Sequence, residues 1–165
     1  MSDIFDRLIK REGGYVDHPD DAGKATKFGI TLDTLSRWRR SRVTTAAVKE
    51  LTKREAREIY EAQYFFGPNI HLIASPRLRE HMLDSVVLHG PKRAIRWLQE
   101  LAGAQPADGI IGPVTAAAVS AMDTRTLNNL LMRRRCRYMA RRVTRKPSQA
   151  VFAAGWIRRA TSFLI

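Results

Sequence analysis

A glutamate at the end of the first expected helix is the first candidate for chemistry. Apolar residues spaced as on one helical face run up to Glu12, and Gly13 and Gly14 follow it at once. The carboxyl end of a helix disfavours a negative charge, whereas a general acid must keep its proton near neutral pH. Glu12 is therefore a candidate general acid, although on this feature alone a solvated surface glutamate is the more common case.

Three more carboxylates follow within ten residues, at Asp17, Asp20 and Asp21, and Thr26 comes shortly after them. Hydrolysis of a glycosidic bond needs two carboxyl groups, one to protonate the leaving oxygen and one to activate water or stabilise the cationic transition state. A calcium loop is the alternative, but the alternating acidic pattern with its glycine and final glutamate is missing. The segment therefore favours glycoside hydrolysis over calcium binding.

Two residues beside these acids are candidates for substrate contact. The ring of Tyr15 suits stacking on a sugar, and His18 lies within the acidic loop itself. None of the four histidines stands in an HExxH or CxxC context, so no metal is expected. Cys136 shares a helical stripe with Met139 and Val143, which indicates packing rather than reactivity.

The elements that must position these residues are helical almost throughout. Proline and glycine signals predict helices that begin at Pro76, Pro91 and Pro113 and a last helix after Pro147, and Ser2 is the expected cap of the first helix. Residues 15–27 have no helical period and predict a loop or short hairpin. The fold class is therefore mostly α, with a small N-terminal lobe that carries the acidic loop.

The charge is distributed unevenly along the 165 residues. The net charge is +13, but residues 1–90 carry only +2, whereas residues 91–165 carry +11 with three acidic residues. This asymmetry predicts two regions, 1–90 and 91–165, packed into one compact unit. A basic half implies an anionic partner, and charge alone does not choose among nucleic acid, an acidic membrane surface and a bacterial wall.

Most of this positive charge falls on the longest expected helix. The basic strip consists of Arg133, Arg134, Arg135, Arg137, Arg141, Arg142, Arg145 and Lys146. Such a helix binds anionic polymers and lipids by releasing counterions, and lipopolysaccharide is one such partner. Nucleic acid is not expected, because neither interleaved exposed aromatic residues nor a helix-turn-helix is evident. A non-enzymatic binding module therefore stands as the alternative to an enzyme.

The N-terminal residues bear on where the protein acts. No apolar run reaches 18 residues, and the start of the chain lacks the basic and apolar parts of a secretory signal. We therefore expect synthesis in the bacterial cytoplasm. If the anionic partner is the bacterial wall, the protein would reach the periplasm and wall by another route, either a holin-type hole or a secretion apparatus.

Motifs spread over nearly the whole chain resemble one known family. They are Glu12-Gly13-Gly14-Tyr15, Asp21-x-Gly23, Thr26-x-x-Gly29-Ile30-Thr31, Ile59-Tyr60, Asp84-x-x-Val87-x-His89-Gly90, Asp108-Gly109-x-x-Gly112-Pro113-x-Thr115 and Phe152-x-x-Gly155-Trp156. Together they are similar to glycoside hydrolase family 108, the N-acetylmuramidases found mostly as phage or prophage endolysins, with a companion peptidoglycan-binding region. Leu88 departs from the pattern, because asparagine is expected there.

The resemblance implies a lysozyme-like fold and a site built from Glu12, Asp21 and Thr26. Glu12 would be the general acid, Asp21 the second carboxylate and Thr26 the residue that places the nucleophilic water. Asp20 beside Asp21 leaves the register of the second carboxylate open by one residue, and Asp20, Tyr15 and His18 are substrate-binding candidates. The implied reaction is hydrolysis of the β-1,4 bond between N-acetylmuramic acid and N-acetylglucosamine by a monomer without a cofactor.

Overall fold

The computed structural model describes residues 3–16 and 25–164. Helices of all kinds account for 73% of these residues, and the strands are short. The predicted mostly α fold is confirmed. The chain divides into two compact units, Met1–Gln63 and Tyr64–Ile165, so the expected region boundary at residues 90/91 lies inside the second unit. No helix among the described residues is long and apolar enough to cross a membrane.

The first unit alternates helices with a small sheet. Its elements are α1 (Ile4–Glu12), β1 (Tyr15–Val16), β2 (Thr26–Lys27), β3 (Ile30–Thr31), α2 (Leu32–Arg39), α3 (Thr45–Glu50) and α4 (Lys53–Ile59). A π-helix, Tyr60–Phe66, continues from α4 and runs past the end of this unit. The strands pair antiparallel in the order β1-β2-β3.

Helix α1 begins with a reciprocal cap. The Asp3 carboxylate accepts from the backbone N–H of Phe5 and Asp6, and the Asp6 side chain accepts from the backbone N–H of Asp3. The expected cap at Ser2 is therefore wrong by one residue. The carboxylate of Asp3 reaches two N–H groups of the first turn, which satisfies donors that the helix itself leaves unpaired.

A two-residue turn joins β2 to β3. Phe28 has φ 52° and Gly29 has φ 74°, so both central residues are left-handed, as a type I′ hairpin turn requires. Thr26 pairs with Thr31, and Lys27 pairs with Ile30. The short hairpin expected over residues 15–27 corresponds instead to the pairing of β1 with β2, in which Tyr15 pairs with Lys27 and Val16 with Thr26. The β2–β3 turn lies after that segment, where no hairpin was expected.

The second unit is built from helices. Its elements are a 3-10 helix (Ile70–Leu72), α5 (Pro76–His89), α6 (Pro91–Ala102), α7 (Pro113–Ala121), α8 (Thr124–Arg145), a second 3-10 helix (Pro147–Phe152) and α9 (Ala153–Thr161). Prolines occupy the first helical positions of α5, α6 and α7, where no backbone N–H is needed.

An ion cluster is buried at the centre of this unit. The Asp84 carboxylate of α5 accepts from Arg135 of α8 at 2.6 Å and from Arg159 of α9 at 2.8–2.9 Å. Asp84 and Arg135 are 1% and 0% exposed. Burial raises the pKa of Asp84, but the two guanidinium groups outweigh it, so that the pKa lies below its usual value. The cluster therefore joins three helices through one ionised carboxylate.

The motif around Asp108 has a structural role. The Gln99 amide donates to Asp108 at 2.9 Å, to the Ile110 carbonyl at 3.0 Å and to Thr115 at 3.1 Å, and its oxygen accepts from the Gly109 N–H at 2.8 Å. Gln99 is itself buried. These bonds tie α6 to the start of α7 and satisfy the buried amide.

Candidate active site

Glu12 is the last residue of α1 and is half-buried. Gly13 caps the helix with φ 82° and donates its backbone N–H to the Ile9 carbonyl, so the chain leaves the helix at once. Lys10 and Arg11 place two positive charges in the same last turn. The expectation that a carboxylate stands at this end of the helix is confirmed.

The turn of the hairpin lies directly against Glu12. A Cβ atom placed on Gly29 would lie 2.7 Å from Glu12 Oε2 and 2.6 Å from Tyr60 Oη, closer than real Cβ contacts allow. Only a glycine therefore lets the backbone approach both side chains, and its positive φ also favours glycine. The Gly-Ile-Thr segment of the sequence is thus the point where the hairpin meets the candidate acid.

Tyr60 holds the turn from the other side. Its hydroxyl donates to the Phe28 carbonyl at 2.7 Å, and the residue is 1% exposed at the start of the π-helix. A buried phenol with a fixed hydrogen bond is a rigid support, and π-helical turns are common at functional sites. Residue-type reasoning missed Tyr60 as a site residue, because its partner is 32 positions away in the sequence.

Thr26 lies on β2, two residues before this turn, and is half-buried. Tyr15 lies on β1, three residues after Glu12, and pairs with Lys27 across the sheet. The end of α1 and the three-stranded sheet after it therefore carry three of the candidates: Glu12, Tyr15 and Thr26. The other candidates, Asp20, Asp21 and His18, fall outside the described residues.

An ion network fastens α1 to α4. The Arg57 guanidinium donates to Asp3 and to Glu61, the latter at 2.7 Å, and lies 3.6 Å from Asp6. Burial raises the pKa of Asp3. Hydrogen bonds from Arg57 and from two backbone N–H groups lower it by more, so the pKa lies below its usual value. These charges support the helix that ends at Glu12.

A groove of about 840 Å³ lies beside this network, between α1, the hairpin turn and α4. It is lined by Asp6, Ile9, Lys10, Gly13, Phe28, Lys53, Arg54 and Arg57. Glu12 is not among these lining residues, so the groove is not assigned to the reacting bond.

The basic strip of α8 does not form one exposed face. Arg133, Arg137 and Arg141 are exposed, whereas half-exposed Arg134 is paired with Glu100. The expectation is wrong for Arg135, which is fully buried in the ion cluster. The signal that identifies it is its spacing, because it stands four residues from both buried Leu131 and buried Met139.

Two histidines are buried in the second unit. Burial, followed by the charge of Arg135, lowers the pKa of His81 to about 3 and that of His89 to about 3. His81 Nδ1 lies 2.8 Å from the Asn128 amide oxygen, and the His89 ring packs against Trp97 and Tyr138. Among the described residues no group of three His, Cys, Asp or Glu could hold a metal ion.

Comparisons with known proteins match both parts of the chain. A family model described as Glycosyl hydrolase 108 matches residues 5–90, and one described as Predicted Peptidoglycan domain matches residues 93–161. No curated protein matches the chain. The solved structure titled "Structure of Brucella abortus SagA" is similar, with a TM-score of 0.83 and 36% sequence identity over 95% of this chain and 87% of that chain. The lysozyme-like helical fold is confirmed.

Proposed function

Because the chain belongs to the glycosyl hydrolase 108 family, we propose that it is an N-acetylmuramidase of the bacterial cell wall. The family supports a glycoside hydrolase that acts on peptidoglycan. The proposed bond is the β-1,4 linkage between N-acetylmuramic acid and N-acetylglucosamine. The observation that carries the proposal is the packing of the Glu12 carboxylate against the Gly29 turn of the hairpin that bears Thr26.

In the proposed mechanism Glu12 protonates the glycosidic oxygen while the bond to the anomeric carbon breaks. A water molecule attacks that carbon and gives its proton to the second carboxylate, Asp21. Thr26 orients this water, and a residue that places water favours inversion at the anomeric carbon. Tyr15, His18 and Asp20 are proposed to contact the sugars on either side of the bond.

The geometry supports this role for Glu12 through its surroundings. Glu12 is the last residue of a capped helix, so its backbone is fixed. Its carboxylate packs against Gly29, which also lies against the Tyr60 hydroxyl that is bonded to the Phe28 carbonyl. A general acid is effective only when its proton is held within hydrogen-bond reach of the leaving oxygen. A rigid helix end and a tight turn provide that restraint.

The test is clearing of purified peptidoglycan sacculi by the wild type and by Glu12→Gln. Loss of general acid catalysis should lower the rate by about 10²–10⁴-fold. Glu50→Gln is the matched control, because Glu50 is also the last residue of a helix, α3, and is exposed. Equal clearing by Glu12→Gln and Glu50→Gln would eliminate Glu12 as the acid, whereas no clearing by the wild type itself would favour a non-enzymatic binding module.

Product analysis tests the bond and the outcome. Reduction of the released fragments with borohydride should convert muramic acid, and not glucosamine, to its alcohol. Proton NMR of the first products should show the α-anomer, as inversion of a β-bond requires. Hydrolysis by two carboxyl groups needs no metal, so EDTA should leave the rate unchanged.

We also propose that four arginines of α8 hold the enzyme near an anionic envelope such as lipopolysaccharide. The proposed residues are Arg133, Arg134, Arg137 and Arg141, of which Arg134 contributes least because Glu100 already pairs with it. Attraction of this kind is screened by salt over about 10 Å at 0.1 M ionic strength. Replacing all four with glutamine should flatten the salt dependence of binding to lipopolysaccharide and leave turnover of a small soluble glycan unchanged.

A further inference from the structure

Two cavities lie side by side at the carboxyl end of α8. The first, called here the cationic cavity, has a volume of about 380 Å³ and is lined by Tyr138, Arg141, Arg142, Arg145, Lys146 and Gln149. The second, called here the slot, has a volume of about 80 Å³ and is lined by Leu88, His89, Tyr138, Met139, Arg142 and Trp156. Tyr138 and Arg142 line both, so the two cavities adjoin.

The positive charge of the cationic cavity is not neutralised by its own lining. Four of its six lining residues are cations and none is acidic. The three acidic residues of positions 91–165 are engaged elsewhere, since Glu100 pairs with Arg134, Asp108 accepts from Gln99, and Asp123 caps α8. Cations that converge without a counterion favour the binding of an anion.

One of these cations is held in place before any ligand arrives. The Arg142 Nε donates to the Gln149 side-chain oxygen, and the guanidinium lies 5.6 Å from the centre of the Trp156 ring. Tyr138 is similarly fixed, with the guanidinium of Arg93 4.9 Å from its ring centre and the Trp97 ring 5.2 Å away. A preorganised site pays less ordering entropy on binding.

The slot is uncharged apart from the Arg142 it shares with the cationic cavity. Leucine, methionine and aromatic rings form most of its wall, and the low pKa of His89, about 3, keeps that ring neutral. Its volume admits a small apolar group such as a methyl rather than a sugar ring. The pair of cavities therefore fits a carboxylate that carries a methyl group on the neighbouring carbon.

We infer that the two cavities bind the carboxyl-terminal alanine of a peptidoglycan stem peptide, with the carboxylate in the cationic cavity and the methyl group in the slot. Stem peptides end in alanine, and the terminal carboxylate of alanine stands one bond from the carbon that bears its methyl. The inference rests on the proposed function only in taking peptidoglycan as the partner. It assigns this part of the chain a peptide, whereas the proposed reaction occurs on the glycan.

Calorimetry with the full-length protein tests the inference. The probe is the tetrapeptide L-alanyl-γ-D-glutamyl-meso-diaminopimelyl-D-alanine, compared with the same peptide amidated only at its terminal carboxyl. Charge-assisted hydrogen bonds account for about tenfold in affinity each, so amidation should weaken binding at least tenfold. Equal binding of the two peptides would overturn the inference.

Variants locate the site and control for net charge. Arg142→Gln combined with Arg145→Gln should weaken tetrapeptide binding at least tenfold, and Leu88→Phe, which fills the slot without changing charge, should do the same. The matched control replaces Arg96 and Arg158, two exposed arginines that line neither cavity, and should change affinity less than twofold. Equal loss of tetrapeptide affinity in the two double variants would contradict the placement of the binding site in these cavities.

Other anions give the remaining outcomes. Inorganic phosphate or phosphatidylglycerol vesicles that bind more tightly than the tetrapeptide, with the same dependence on Arg142 and Arg145, would make this a phosphate site and contradict the inference. Cleavage of sacculi stripped of stem peptides should be unchanged in these variants. Variants that lose peptide binding but keep glycan cleavage therefore test only the assignment of the two cavities. The proposed reaction is tested separately by Glu12→Gln.

Discussion

Replacement of Gly29 with alanine should damage both the hairpin turn and the candidate acid. The new methyl would lie 2.6 Å from Tyr60 Oη and 2.7 Å from Glu12 Oε2, whereas an ordinary contact begins at 3.4 Å. At least one side chain must therefore retreat by several tenths of an ångström. Because Tyr60 is buried and bonded to the Phe28 carbonyl, we expect the half-buried Glu12 carboxylate to move.

Two magnitudes follow for Gly29→Ala. A side chain at φ 74° costs about 1–2 kcal/mol of folding free energy, because Cβ crowds the following carbonyl. Misplacement of a catalytic group by about 1 Å costs about 100-fold in rate, so the smaller shift expected here should cost about tenfold or more. The activity loss should thus exceed what reduced stability alone produces.

The assay compares sacculus clearing with thermal unfolding for Gly29→Ala and Gly103→Ala. Gly103 also has a positive φ, 69°, but a Cβ there meets nothing within 4 Å, so it shares the backbone strain without the contact. Gly103→Ala should lose comparable stability and keep its rate. Equal rates for the two alanine variants would refute the reasoning.

The buried groups of the second unit give two more predictions. His81 and His89 resist protonation in the folded protein, so below pH 6.5 the unfolded chain binds more protons than the folded one. The free energy of unfolding should therefore fall by about 2 kcal/mol per ring from pH 7 to pH 5. In urea unfolding, His89→Phe should show about half the wild-type fall, and an identical fall would contradict this. Asp84→Ala should cost about 3–5 kcal/mol in the same assay, because it leaves Arg135 charged and buried, and a cost below 1 kcal/mol would disprove that role.

Local signals explain most of what the sequence predicted correctly. Prolines at 76, 91 and 113 begin helices in the structure, and Gly13 ends α1 immediately after Glu12. These signals work because they depend on the backbone conformation of one or two residues. The position of the candidate acid could therefore be predicted without any knowledge of distant contacts.

Long-range contacts explain what was missed. The bond from Tyr60 to the Phe28 carbonyl has no local signature, and a tyrosine in a helical segment is most often a packing residue. Arg135 was predicted to belong to the anion-binding basic strip because of its basic neighbours, although its spacing from Leu131 and Met139 places it on the buried stripe. Its acidic partner, Asp84, lies 51 positions away, and pairs at that separation cannot be read from one sequence.

The buried ion cluster also accounts for the position of the slot. Exchanging such a cluster for apolar residues is often neutral or stabilising, so its presence is better explained by the geometry that it fixes than by stability. Each cluster residue stands about one helical turn from a residue of the slot wall, on α5, α8 and α9 respectively: Asp84 with Leu88, Arg135 with Met139 and Arg159 with Trp156. Helices can slide when only apolar side chains join them, whereas one carboxylate bonded to two guanidinium groups admits a single register. The same three bonds that join α5, α8 and α9 therefore hold the wall of the slot at a fixed width.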